Sequence, residues 1–161
     1  MTAIPQQALP VAHDIARTLQ VLGGSSTIRQ PVHTSLEAHD LLAQGLPAKV
    51  LERLESAVSF HGDISVSFQK ALGVSTRTMQ RHKAAGKDSL PSPEQSSRAS
   101  RFAEILGRAM AIFGSQAEGL TWMTQPAIGL DQRKPIDLLA THVEAEVVEE
   151  YLSRIEYGVY T

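Results

Sequence analysis

With 161 residues and a formal net charge of −2, the chain is long enough for one ordinary domain or two small ones with a buried core. Hydrophobic residues make up 42% of the sequence but aromatic residues only 5%, and β-branched runs are few, so the composition favours helices over sheets. The near-neutral charge excludes a nucleic-acid site spread over the whole surface, and any such site must be a local basic patch.

The sequence lacks the features of several other protein classes. It contains no cysteine, which excludes disulfides and thiolate metal sites, and its six histidines are scattered without a His-x-x-x-His pair. No apolar run approaches the ~20 residues that span a bilayer, and charged residues interrupt the apolar N-terminus, unlike a signal peptide. Nucleophile elbows and glycine-rich nucleotide loops are absent too. We therefore expect a soluble, cytoplasmic, non-enzymatic protein without a metal or a cofactor.

Residues 1–33 form the least informative part of the chain. A helix from about Val11 to Leu22 would end at Gly23-Gly24, and Ser25 to Pro31 has the composition of a loop. We expect this poorly defined N-terminal arm to be mobile or weakly docked, and a first domain to begin at residue 34.

Two short helices are predicted next. Thr34 and Glu37 have the spacing of a capping box, and Gly45 would end the helix that they begin. A second helix would place Pro47 at its first helical position. Its apolar residues fall on one stripe, formed by Val50, Leu51, Leu54 and Val58.

The segment from Ile64 to Gly86 has the layout of a helix-turn-helix, because a short apolar helix and a turn precede a basic helix from Thr76. Gly73 tolerates the positive φ that the turn needs, and Ser75 is a good N-cap. His82 falls near the buried side of the second helix. The residues predicted to pack the two helices together are Phe68, Leu72, Val74 and Met79. Residues 64–87 hold five basic residues and no Asp or Glu.

The second helix of this pair carries side chains that suit DNA recognition. Arg77, Gln80 and Arg81 lie opposite Met79, where Arg can bridge guanine O6 and N7 and Gln can bridge adenine N6 and N7. Threonine and lysine side chains at the flanks are better placed for phosphates. The predicted DNA-binding residues are Ser75, Thr76, Arg77, Thr78, Gln80, Arg81 and Lys83. An ordinary amphipathic helix pair with a solvated basic face is the alternative.

Residues 91–161 are predicted to form a second helical domain. Ser92 and Gln95 have capping-box spacing around a proline, and Gly114 would end the helix that they begin. A short helix from Ser115 would end at Pro126. The apolar stripe of the first of these helices consists of Phe102, Ile105, Leu106, Ala109 and Phe113.

A single helical turn at Pro135–Leu139 and a final helix capped by Thr141 complete this domain. The final helix has a predicted inner face formed by Val147, Val148, Tyr151, Leu152 and Ile155. From His142 onward five glutamates (Glu144, Glu146, Glu149, Glu150 and Glu156) stand against Arg154 alone. An acidic helix after a basic middle indicates two different partners, although a solvated acidic face is the simpler reading of charge alone.

Two series of motifs follow one another along the chain. The first series is Leu46-Pro47, Leu72 to Ser75 and Arg77 to Arg81. The second series is Phe113-Gly114, Trp122-Met123, Pro126, Pro135 to Thr141 and Arg154 to Tyr160. The first resembles the N-terminal half of Xre-type antitoxins, and the second resembles the Xre/ParS/MbcA antitoxin C-terminal toxin-binding domain. The resemblance covers roughly residues 36 to 161.

The resemblance implies an all-α protein with a helix-turn-helix domain at residues 34–90 and a small helical toxin-binding domain at residues 91–161. It implies an antitoxin of a type II system that binds a RES-domain, NAD-degrading toxin and blocks its active site. As a homodimer, such an antitoxin would also bind operon DNA as an autorepressor. NAD would then be the substrate of the toxin and not a ligand of this chain.

The toxin contacts are expected on the last helix and the segment after it, where tyrosines offer amphipathic anchors. The predicted toxin-binding residues are Trp122, Glu150, Tyr151, Arg154, Tyr157, Val159 and Tyr160. For Trp122, the only tryptophan, a core anchor is the favoured interpretation and an interface role is the alternative. Two positions depart from the family pattern, since Gln132 and Glu144 stand where relatives often have glycine, although Glu144 suits a helix start.

Two other functions remain open on the sequence. The chain would be a stand-alone helix-turn-helix transcription regulator if its C-terminal half only dimerises or senses a signal. It would be an adaptor if it has lost DNA binding.

Overall fold

The computed structural model describes residues 10–62, 64–86 and 89–158 of the chain. Over these residues the chain is helical, and its only strand-like pairing is an isolated bridge between Ala127 and Arg133. The predicted all-α class is therefore confirmed. None of the helices in the described part combines the length and the apolar character that a membrane span requires.

Eight α-helices are formed by the described residues: α1 (Pro10–Val21), α2 (Ser35–Gln44), α3 (Ala48–Ser59), α4 (Ser65–Leu72), α5 (Thr76–Ala85), α6 (Pro93–Phe113), α7 (Gln116–Thr124) and α8 (His142–Glu156). Short 3-10 turns lie at Gly24–Ser26, Ile128–Leu130 and Pro135–Leu138. The helix pair predicted as a helix-turn-helix is present as α4 and α5; its role in DNA binding stays a prediction.

The predicted N-caps set these boundaries. The side chains of Thr34, Ser75, Ser92, Ser115 and Thr141 each accept a hydrogen bond from the backbone N–H three residues later. Such a bond satisfies one of the amide groups that a helix start leaves without a partner. One start differs by a residue from the prediction, because α3 begins after the proline and Pro47 is its N-cap.

The other helices are arranged around α6, which at 21 residues is the longest helix in the described part of the chain. Helices α1, α2, α4, α7 and α8 all pack against it. Small residues on α6 permit this close approach: Ala99, Ala103 and Ala109 are fully buried, and a Cβ on Gly107 would meet the side chain of Arg17 at 3.1 Å. Phe102 of α6 makes an edge contact with Phe68 of α4, with ring centroids 5.1 Å apart. One apolar core therefore runs through both halves of the chain.

The N-terminal segment corrects a prediction. The helix expected near Val11 to Leu22 is present as α1, but residues 14–33 are not weakly docked. Leu22, Ile28 and Val32 are buried in the same core as α6. These three residues are six and four positions apart, and the segment between them has the composition of a loop. The sequence therefore shows no helical or strand periodicity that would predict their burial.

Most predicted inner faces are confirmed, and one residue is placed wrongly. The stripe of α3 and the α4–α5 contact set are buried, as predicted. Val147, predicted to face inward on α8, is 47% exposed. Ala145, Val148 and Leu152 form the buried face instead. A small alanine fits against neighbouring helices, and with Ala145 inside, the 3.6-residue repeat turns Val147 outward.

The turn after α7 explains why glycine would suit position 132, where this chain has glutamine. The backbone N–H of Gln132 donates to the carbonyl of Ala127 at 2.9 Å, and Gln132 adopts a φ of 63°. This left-handed conformation is the one that glycine adopts without steric cost. A glycine at this position would therefore fit the same turn.

We predict that Gln132→Gly raises the free energy of unfolding by about 0.5–1 kcal/mol, because relief of the left-handed strain exceeds the entropy cost of glycine. Urea denaturation of the wild-type and variant chains measures this difference. Asp131→Gly is the matched control, since Asp131 also has a positive φ of 53° but aspartate tolerates it better, and its gain should be smaller. A less stable Gln132→Gly chain would contradict the strain.

Candidate functional sites

The exposed face of α5 is the first candidate site. Ser75 caps the helix, Met79 and His82 are buried beneath it, and Arg77, Gln80 and Arg81 are exposed on its outer side. The predicted orientation of these five side chains is thus confirmed. Two guanidinium groups and an amide are presented to solvent on two successive turns of one helix.

Hydrogen bonds inside the chain fix the start of α5. The side-chain amide of Gln69, on α4, donates to the hydroxyl of Thr76 at 2.9 Å. The hydroxyl of Ser75 donates to that of Thr78 at 3.0 Å. Thr76, predicted as a DNA contact, therefore also holds the first turn of α5 against α4. Thr78, another predicted contact, stabilises that turn through the N-cap Ser75. The part played by Gln69 was missed, because its partner lies beyond the turn.

Lys83 has an intrachain partner as well. Its ammonium group forms an ion pair with the carboxylate of Glu55, which ties α5 to α3. Of the seven predicted DNA-binding residues, Arg77, Gln80 and Arg81 thus point outward, while Ser75, Thr76, Thr78 and Lys83 hold the helix in place. The spacing of residues in the sequence predicted the outward face of α5, but it did not predict the intrachain contacts of Thr76, Thr78 and Lys83.

His82 joins α5 to the segment that leads into α6. The side chain is buried, and its Nδ1 lies 2.6 Å from the hydroxyl of Ser89. Burial lowers the pKa of His82, and the nearby positive charge of Arg81 lowers it further. The expectation that this histidine is packed and not exposed is confirmed.

We predict that His82 makes the fold less stable as the pH falls. Since folding lowers its pKa, the unfolded chain binds the proton more readily, and stability is lost as the pH drops below the unfolded value of 6.5. Thermal unfolding of wild type and His82→Gln at several pH values between about 7.5 and 5 checks this. The variant should lose less stability over that interval. Equal losses in both proteins would exclude His82 as the source of the pH effect.

The second candidate site lies on α7 and α8. Three aromatic rings form a row from α6 to α8: Phe113 and Trp122 have centroids 5.7 Å apart, and Trp122 and Tyr151 have centroids 6.3 Å apart. Trp122 and Tyr151 are half-buried. Trp122 therefore anchors three helices to one another and still has an edge at the surface, so it suits both roles considered for it.

Beyond this row, the predicted toxin-binding residues fall on the outer side of α8. Glu150 and Arg154 are exposed and form an ion pair at 2.5 Å, and Tyr157 is 78% exposed. Val159 and Tyr160 lie outside the described residues. The fold thus brings Trp122 close to Tyr151, and it places Glu150, Arg154 and Tyr157 along one end of α8.

Several glutamates of the acidic C-terminal helix have basic partners within the chain. Arg108 of α6 donates to Glu156 at 3.2 Å, and His142 pairs with Glu146 at 3.0 Å. Burial raises the pKa of Glu104 on α6, and the negative charges of Glu149 and Asp14 raise it further. Part of the negative charge of α8 therefore serves its attachment to α6, and the remainder faces solvent.

Part of this chain matches a known protein family, and two known proteins are similar to the chain. Residues 108–158 match the family described as the antitoxin Xre/MbcA/ParS C-terminal toxin-binding domain. An antitoxin Xre of Yersinia enterocolitica is 33% identical over 93 residues, which are 57% of this chain and 62% of that protein. An antitoxin Xre of Photorhabdus laumondii is 27% identical over 135 residues, covering 83% of this chain and 87% of that protein. The alignment to the Yersinia relative thus spans less than two thirds of its length.

Proposed function

We propose that the chain is an Xre-type antitoxin and that it neutralises a protein toxin by binding it through α7, α8 and the turns between them. The observation that carries this proposal is that one row of packed aromatic rings lies wholly within the matched segment. The segment that matches a toxin-binding domain, residues 108–158, is also the segment tied together by the row of Phe113, Trp122 and Tyr151. That row gives the outer side of α8 a rigid support, as a pre-organised interface requires.

We further propose that the toxin is a RES-domain enzyme that degrades NAD, as the motif series implies. The chain then needs no catalytic group of its own, only a surface that covers the active-site cleft of the toxin. Exposed glutamates on α8 suit this role, because a cleft that binds an anionic dinucleotide carries basic residues.

Co-expression with the product of the adjacent gene tests toxin binding. The two proteins should co-purify as a complex of defined mass, and cellular NAD should fall when the neighbouring protein is expressed without its partner. A complex that forms while NAD stays constant would retain the antitoxin role and remove the RES assignment. Failure of the two purified proteins to associate would remove the antitoxin role itself.

The end of the chain has a separate test. We predict that removal of residues 157–161 abolishes protection of cellular NAD when the toxin is co-expressed, because the exposed Tyr157 and the residues after it would enter the toxin's cleft. The deletion leaves Leu152, the last fully buried residue of α8, in place. Phe60→Ala is the control, since Phe60 is an exposed aromatic residue outside the matched segment. Undiminished protection would exclude a role for the tail.

We also propose that α5 binds the operator of the chain's own operon, with Arg77, Gln80 and Arg81 contacting bases in the major groove. The support is their exposure on one side of a helix whose other side is held by Gln69, Glu55 and Ser89. A homodimer would present two such helices to the two halves of a palindromic operator.

We predict that Arg77→Ala and Arg81→Ala each weaken operator binding by about 1–3 kcal/mol, the cost of losing a bidentate base contact. Gel-shift titrations at two salt concentrations measure the loss. Arg53→Ala is the matched control, because Arg53 is exposed on α3 and its removal changes the net charge equally. If all three variants bind alike, the groove assignment is wrong and any binding is only a response to net charge.

A further inference from the structure

The outer side of α8 carries apolar residues that are exposed to solvent and do not pack into the core. Val143 is 70% exposed and Val147 is 47% exposed, four residues apart and therefore neighbours on the helix surface. They lie on the opposite side of α8 from its buried residues, Ala145, Val148 and Leu152. Two exposed β-branched residues one turn apart are unusual on a helix whose other outward residues are polar.

The turn beside α8 extends this apolar side. Tyr151 follows Val147 by one helical turn, and its ring lies so close to the backbone of Gly129 that any Cβ there would overlap it. Ile128, the residue before Gly129, is 83% exposed. Val143, Val147 and Tyr151 thus follow one another along α8, and Ile128 lies on the adjoining turn; we call these four residues the α8 apolar surface.

Acidic residues border the α8 apolar surface. Glu150 lies on the same side of the helix and pairs with Arg154, and Glu146 pairs with His142. All four of these polar side chains are substantially exposed. Helix α8 carries five glutamates against Arg154 alone, so the surroundings of this surface are negative overall. Its chemistry fits a partner with an apolar depression surrounded by Lys or Arg.

We propose that the α8 apolar surface is the contact centre for the toxin, an inference that rests on the proposed function and adds the residues that supply its affinity. Every member lies within residues 108–158, the segment that matches a toxin-binding domain. A second copy of this chain is the less suitable occupant. A symmetric contact between two copies would bring the same glutamates towards each other across the axis, and like charges oppose such an interface.

Two substitutions with a matched control test the proposal. Val147→Arg and Ile128→Arg place a cation in the centre of the surface, and each should weaken the affinity of the full chain for the adjacent gene's product at least about tenfold. Both positions are exposed, and arginine is a good helix former at position 147 of α8, so the melting temperature should stay close to that of the wild type. Leu36→Arg on α2, where the native residue is 77% exposed and lies outside the matched segment, should leave the affinity unchanged.

Calorimetric titration measures the affinity for the toxin, and the mass of the free chain in solution shows whether copies of the chain associate. Together the two measurements distinguish the outcomes. Wild-type affinity in both α8 variants would overturn the inference while leaving the proposed antitoxin function intact. A change in the mass of the free chain, with toxin affinity unaltered, would assign the surface to contacts between copies and overturn the inference too. A wild-type chain that fails to bind the toxin would overturn the proposed function and this inference together. Affinity lost in both α8 variants but not in Leu36→Arg supports the proposal.

Discussion

The packing of five helices against α6 is the constraint on which the other features of this molecule depend. That packing requires small side chains at the contact points, and α6 supplies Ala99, Ala103, Gly107 and Ala109 there. Larger residues at these positions would separate the helices and open voids, at a cost of about 1–3 kcal/mol each. The arm at residues 14–33 belongs to the same arrangement, because Gly107 lets α1 lie directly on α6.

Polar contacts supplement this core between the two halves of the chain. The backbone N–H of Leu46 donates to the buried hydroxyl of Ser96 at 2.9 Å, and the hydroxyl of Ser67 on α4 donates to Asp137 at 2.5 Å. The ring of His61 lies 3.0 Å from the carbonyl of Ala117 on α7. The outer face of α5 and the outer face of α8 are therefore carried by one continuous core. Their spacing depends on side-chain packing and not on a flexible linker.

Features that depend on near neighbours in the sequence could be predicted, and features that depend on distant partners could not. The caps at Thr34 and Ser92, the positive φ of Gly73 and the outward side of α5 each follow from a few consecutive residues. The bond from Gln69 to Thr76 and the ion pair of Lys83 required knowledge of how α3, α4 and α5 meet. Val147 was placed inside because its hydrophobicity exceeds that of Ala145, although the buried contact favours the smaller residue.

Under the proposed function, the two outer faces would contribute to affinity and selectivity in different ways. On α5 the threonines and Lys83 make contacts within the chain, so the proposed DNA contacts depend on the exposed Arg77, Gln80 and Arg81. On α8 the charges of Glu150 and Glu156 are already partly compensated by Arg154 and Arg108. A partner that displaces these ion pairs gains little net free energy from charge, because each new contact replaces an existing one. In the proposed complex, the free energy of association would then come mainly from burying apolar area, while the acidic border would select which apolar partner can approach.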